Sequence, residues 1–181
     1  MKIRFGFVSN SSSSAFIVAF PHVPKNAKDV KQVLFGDKEA FPKPYDEGSI
    51  STNDIAKQVW GDIKAQKPNQ TDTIKETVRR GWFDGHPDHE KYKIPPKPQP
   101  TSVVCNGTEI IKARVRDEYD WKKYEADCDK IADKIASDFI HKWSSRPIYT
   151  FEYGDNSGEL FSTMEHGGIF DALPHEQISY H

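Results

Sequence analysis

The sequence predicts an α+β fold: an antiparallel sheet formed by an N-terminal strand pair and a C-terminal hairpin, covered by a long amphipathic helix and shorter helices. Three observations lead there. The apolar stock is poor in leucine, with three leucines against 15 isoleucines, 10 valines and 11 phenylalanines, and β-branched and aromatic side chains suit pleated surfaces better than helical bundles. Short apolar or alternating runs lie near both ends of the chain. Between them one stretch, residues 120–143, carries a sustained helical period.

In chain order, Ile3-Arg4-Phe5-Gly6-Phe7-Val8 alternates, and Ala15-Phe16-Ile17-Val18-Ala19-Phe20 is an apolar run stopped by Pro21. Two strands are therefore expected on either side of a serine loop. Asn26 is placed to cap a helix carrying Val30, Val33 and Leu34 and ended by Gly36. Beyond a proline turn at Pro42 and Pro44, residues 51–54 offer caps for a second helix with Ile55, Val59, Trp60 and Ile63 on one face. Thr71 or Asp72 opens a third through Ile74 and Val78, closed by Gly81.

Residues 86–107 hold Pro87, Pro95, Pro96, Pro98 and Pro100 and read as a loop or crossover. Residues 110–115 fit a strand and a helix entry equally. The long helix follows, with Trp121, Tyr124, Cys128, Ile131, Ala132, Ile135, Phe139 and Trp143 on its apolar stripe. Residues 147–153 alternate, residues 154–158 have turn chemistry, and residues 159–164 are expected to return as the partner strand. Ile178-Ser179-Tyr180-His181 alternates once more and is expected to join the sheet. At 181 residues and a net charge of -2, one domain spanning 1–181 is expected.

Several function classes fall away. No run of about 18 apolar residues exists to span a membrane, and the polar run from Ser9 to Ser14 splits any signal-peptide-like region. A cytoplasmic location is expected. Cys105 and Cys128 have no C-x-x-C partner, so reduced thiols are expected rather than a zinc knuckle or a disulfide. A basic stripe through Lys112, Arg114 and Arg116, or the Arg79-Arg80 pair before Trp82-Phe83, would suit a nucleic acid. The slightly acidic chain with only six arginines does not favour one.

Two regions can carry chemistry. Ser9, Asn10, Ser11, Ser12, Ser13 and Ser14 could cradle a phosphate or another polar ligand, although they lack the glycines and lysine of a P-loop; a polar strand connection explains them equally. In the C-terminal part, Asp155, Glu159, Glu165, His166, Asp171, His175, Glu176 and His181 are interleaved with glycines. Imidazoles and carboxylates together hold divalent metals and activate water. His166, His175 and His181 are thus candidate metal ligands, and His166, His175, Asp155 and Glu165 candidate catalytic groups. The spacing matches no known metal motif, and polar surface accounts for these residues as well. Asp84-Gly85-His86-Pro87-Asp88-His89-Glu90 is a weaker cluster, because Pro87 prevents one helical face from presenting both histidines.

Gly6-Phe7-Val8-Ser9-Asn10-Ser11-Ser12-Ser13-Ser14 at one end, and Glu165-His166-Gly167-Gly168-Ile169-Phe170, Leu173-Pro174-His175 and Ile178-Ser179-Tyr180-His181 at the other, resemble the opening and closing motifs of an uncharacterised group of small bacterial and bacteriophage proteins. Ala15 stands where that group has a fifth serine. The resemblance implies a phage or mobile-element setting and no reaction class. With aromatic anchors and no complete catalytic signature, the expected role is a cytosolic accessory protein that binds a macromolecular partner, a protein. The alternative is a metal-dependent hydrolase, acting on a phosphoester, that uses the C-terminal His/Asp/Glu cluster.

Overall fold

The computed structural model describes residues 13–80, 102–105, 108–111, 118–154 and 157–180. Its centre is a three-stranded antiparallel sheet in which β1 (Ser13–Ala19) lies between β6 (Ile148–Gly154) and β7 (His175–Tyr180). The registers pair Ser13 with Gly154 on one side and with Tyr180 on the other. The N–H of Phe20 donates to the Pro147 carbonyl and that of Ala19 to the Pro174 carbonyl. Even-numbered residues of β1 therefore bond to β6 and odd-numbered ones to β7, as alternation along an antiparallel strand requires.

β1 reads as an unbroken apolar run because both faces of the sheet are covered. Phe16, Val18 and Phe20 join Tyr149, Phe151 and Tyr153 of β6 on one face. They pack against α1 (Ala27–Phe35), α2 (Thr52–Lys64) and the segment from α5 (Glu159–His166) to Phe170. The aromatic rings there interlock, with Phe170 4.9 Å from Phe151 and 5.3 Å from Phe16 between centroids. Ile17 and Ala19 face the other way, with Ile148 and Ile178, onto α3 (Thr71–Arg80) and α4 (Glu118–Lys142). There Ile135, Ala136 and Phe139 are buried, as the helical period predicts. Arg79 of α3 clamps α4 through bidentate bonds of 2.8 Å to Asp133.

Local signals account for the shorter elements. The Asn26 carbonyl oxygen of the side chain accepts the Asp29 N–H at 2.9 Å at the start of α1, and Gly36, at φ +59°, ends it. α2 buries Ile55, Val59 and Ile63, with Trp60 packed at the margin. The proline turn lies within a small hairpin of β2 (Ala40–Pro42) and β3 (Ser49–Ser51). A second hairpin joins β4 (Ser102–Cys105) to β5 (Thr108–Ile111), which places a strand inside the stretch read as proline-rich loop and makes Ile110 and Ile111 strand residues. Cys128 is buried and not part of a disulfide. No helix among the described residues is long and apolar enough to cross a membrane.

One expectation is corrected. Residues 159–164 do not return as a strand beside β6 but form α5. Both edges of β6 are already taken, the inner one by β1 and the outer one by the side chains of Gln66 and Asn69. Thr163 and Met164 are buried and Leu160 partly so, an i, i+3, i+4 set that gains its burial as a helix. The expected strand at residues 3–8 lies outside the described residues.

Candidate functional site

The two chain ends that carry the sequence motifs meet. β1 and β7 set Ser14 opposite Ser179 and Phe16 opposite Gln177. From there the Gln177 amide Nε2 donates to Ser14 Oγ and to the main-chain carbonyl of Glu165, each at 3.3 Å. Ser14 is buried. Glu165, near the end of α5, is 1 % exposed, and its Oε2 lies 3.4 Å from Nε2 of His166. Gly167 ends the helix, donating its N–H to the Thr163 carbonyl at 2.8 Å. A Cβ there would collide with that carbonyl and with the Phe41 ring, so glycine is what allows the β2–β3 hairpin to close on α5.

The hairpin turn runs along α5 from its first residue to its last. Lys43 Nζ pairs with Glu159 Oε2 at 2.7 Å, and the Tyr45 ring stands edge-on to His166 with 5.2 Å between centroids. Tyr45 is nevertheless 72 % exposed. Between turn and helix lies a cleft of about 240 Å³, lined by Lys43, Pro44, Tyr45, Asp46, Glu159 and Ser162 among others.

The other sequence candidates separate. His175 does not join His166: its Nδ1 lies 3.0 Å from the Leu173 carbonyl and its Nε2 3.9 Å from Asp171. It borders a different cleft, of about 150 Å³, with Phe139, Lys142 and Trp143. Of the candidate histidines, His166 alone is brought to Glu165 among the described residues. No group of three or more His, Cys, Asp or Glu side chains able to hold a metal ion occurs among them. Ser9, Asn10, Ser11, Ser12, Asp155 and His181 lie outside the described residues, as do the Asp84–Glu90 cluster and Lys112, Arg114 and Arg116.

Sequence reasoning missed two titratable pairs. Asp62 on α2 accepts the Tyr153 hydroxyl at 3.0 Å and the Gln58 amide at 2.9 Å. Burial still raises its carboxyl above the usual range, and burial beside that carboxylate pushes the Tyr153 phenol well up. His22 Nε2 sits 3.0 and 3.1 Å from the two Asp29 oxygens, in an open groove of about 620 Å³ at the start of α1. Asp29 is held below the carboxylate range first by the Lys25 N–H and then by His22.

No protein-family model matches the chain, and neither does a curated protein or a solved structure. The reading of the site therefore rests on its chemistry alone. Tyr45 offers a large ring with a polar tip, His166 a second ring beneath it, and Lys43, Asp46 and Glu159 a charged margin.

Proposed function

We propose that this protein acts by binding another protein through the face made by the β2–β3 turn and α5. The observation that carries this reading is Tyr45, whose ring is 72 % exposed yet held against His166 over a cleft. A ring fixed in this way gives up little conformational entropy on binding, and tyrosine has few rotors to lose. Lys43 and Glu159, paired with each other across the cleft, supply the rim. A photo-crosslinking amino acid at position 45, introduced in cells that express the protein, tests this. One adduct of defined mass at position 45, and none when the same group replaces exposed Lys57 on α2, supports the reading. Equal labelling at both positions, or none at position 45, contradicts it.

The alternative, a metal-dependent hydrolase, is supported by one observation, the buried Glu165 carboxylate beside His166. Elemental analysis of the purified chain tests it. One equivalent of a transition metal, lost on His166→Ala, would favour hydrolysis over binding.

A further inference from the structure

The charges around Tyr45 narrow what its face can receive. Lys43 is the cation of the β2–β3 turn, and its ammonium is already committed: Nζ lies 2.7 Å from Glu159 Oε2, with the lysine side chain 18 % exposed. Asp46 and Glu47 follow Tyr45 directly and are both exposed. Neither carboxylate has an ion-pair partner among the described residues. Lys43 set against Asp46, Glu47 and Glu159 leaves a net charge of −2 on the face. His166 stands against the Tyr45 ring, but its Nε2 lies 3.4 Å from the buried Glu165 carboxylate. This acidity is local. The other exposed large apolar side chain among the described residues is Val23, and its groove holds His22, Lys25 and Lys28.

We propose that the partner of the Tyr45 face is a separate protein presenting an arginine- or lysine-bearing segment, one cationic side chain lying over the Tyr45 ring and against Asp46 and Glu47. This inference rests on the binding role proposed above for that face. An acidic partner would meet like charge, and a neutral one would desolvate Asp46 and Glu47 without a counter-charge. The ring selects in the same direction, because the face of a tyrosine carries negative potential and attracts guanidinium and ammonium groups. Arginine suits the site best: its planar group stacks on a ring and pairs with a carboxylate through two bonds. The cleft of about 240 Å³ beside the ring, lined also by Ser162 and Thr163, gives the apolar stem of such a side chain a place to lie. The Val23 groove of a second copy has the matching sign and is the competing occupant. A turn-to-groove contact between copies is head-to-tail, however, and grows into filaments unless its rotation closes a ring.

The test places the photo-crosslinking side chain at position 45 of the full chain, in cells that express it, with changes beside it. Asp46→Lys, Glu47→Lys reverses the charge, Asp46→Asn, Glu47→Gln removes it, and Glu125→Lys reverses an exposed charge on α4 as a control. Adduct yield is expected to fall about tenfold or more on reversal and by less on neutralisation, since like charges brought together are strongly disfavoured. Glu125→Lys should leave it unchanged, and the partner fragment attached at position 45 should carry arginine or lysine. Circular dichroism of the purified variants checks that the fold is kept; were the reversal to unfold the chain, the neutral pair carries the test with the same direction of change. An adduct whose yield is equal in all variants, or whose attached fragment lacks arginine and lysine, overturns this inference and leaves the binding role standing. An adduct of two copies of this chain overturns it in favour of self-association. No adduct at position 45 in any variant or in their parent removes the binding role and this inference with it.

Discussion

The Gln66 side chain bonds the main chain of Thr150 from both directions: its Nε2 donates to the Thr150 carbonyl at 2.9 Å, and its Oε1 accepts the Thr150 N–H at 3.0 Å. Asn69 does the same two residues earlier on β6. Its Oδ1 accepts the Ile148 N–H at 2.8 Å and its own N–H donates to the Ile148 carbonyl at 2.9 Å. Together they stand in for a neighbouring strand. Gln66→Ala leaves two half-buried main-chain groups without their partners and is expected to cost about 1–3 kcal/mol. Asn69→Ala adds the penalty of a φ of +60°, which asparagine tolerates better than alanine. Urea midpoints at constant m-value check both, and a midpoint unchanged in Gln66→Ala would mean that water replaces the carboxamide at no cost.

Burial on α4 gives a second expectation. Ile135→Ala and Phe139→Ala each remove a side chain at 1 % and 4 % exposure and should destabilise by about 2–5 kcal/mol. Lys123→Ala, on the exposed face, should fall within about 0.5 kcal/mol of neutral. Denaturant midpoints in the reverse order would place the apolar stripe on the wrong face.

What the chain reveals before folding depends on how local the signal is. The α4 stripe recurs over many turns and Phe139 and Ile135 could be assigned from spacing alone. The β1 run was legible for a similar reason, since Phe16 to Phe20 are apolar whichever face they turn to. Residues 159–164 were not, because six residues cannot separate a strand from a helix and the deciding fact, Gln66 occupying the β6 edge, lies 84 positions away from Thr150 in sequence. The alternation at Ile178 to Tyr180 was enough to bring the C-terminal end into the sheet, but nothing in the sequence singled out Gln177, whose amide reaches both Ser14 and the Glu165 carbonyl. Tyr45 carries no sequence signal of exposure, and Asp62 and Tyr153, 91 residues apart, carry none of contact.

That last pair yields a pH expectation. Burial raises the Asp62 carboxyl above its ordinary value of 3.8, so at pH between the ordinary and the raised value the folded chain holds a proton there that the unfolded chain has released. The stabilising contribution is complete below the ordinary value and is lost as pH rises through the raised one. Asp62→Asn cannot titrate, and its stability relative to wild type should increase as pH climbs from about 4 into the range above. Chemical denaturation at a series of pH values measures this difference directly, and a relative stability that fell with rising pH would invert the assignment. Tyr153→Phe removes the hydroxyl donor to Asp62 and should cost about 1–2 kcal/mol at neutral pH.

Gln177→Ala breaks the two 3.3 Å bonds that tie β1 to the end of α5. Because Gln177 is exposed, a loss of no more than about 1 kcal/mol is expected. A melting temperature equal to wild type would show that the chain ends are joined by strand pairing alone.

The binding role assigned to the β2–β3 turn and α5 is tested most directly by the native size of the protein in an extract of cells that express it, compared with the purified 20.7 kDa chain. Tyr45→Ala, an exposed substitution expected to leave stability within about 0.5 kcal/mol of wild type, is run alongside. The account predicts that wild type elutes in a larger species than the purified chain and that Tyr45→Ala returns to the elution volume of the purified chain. Wild type and Tyr45→Ala eluting together, at either position, would contradict it.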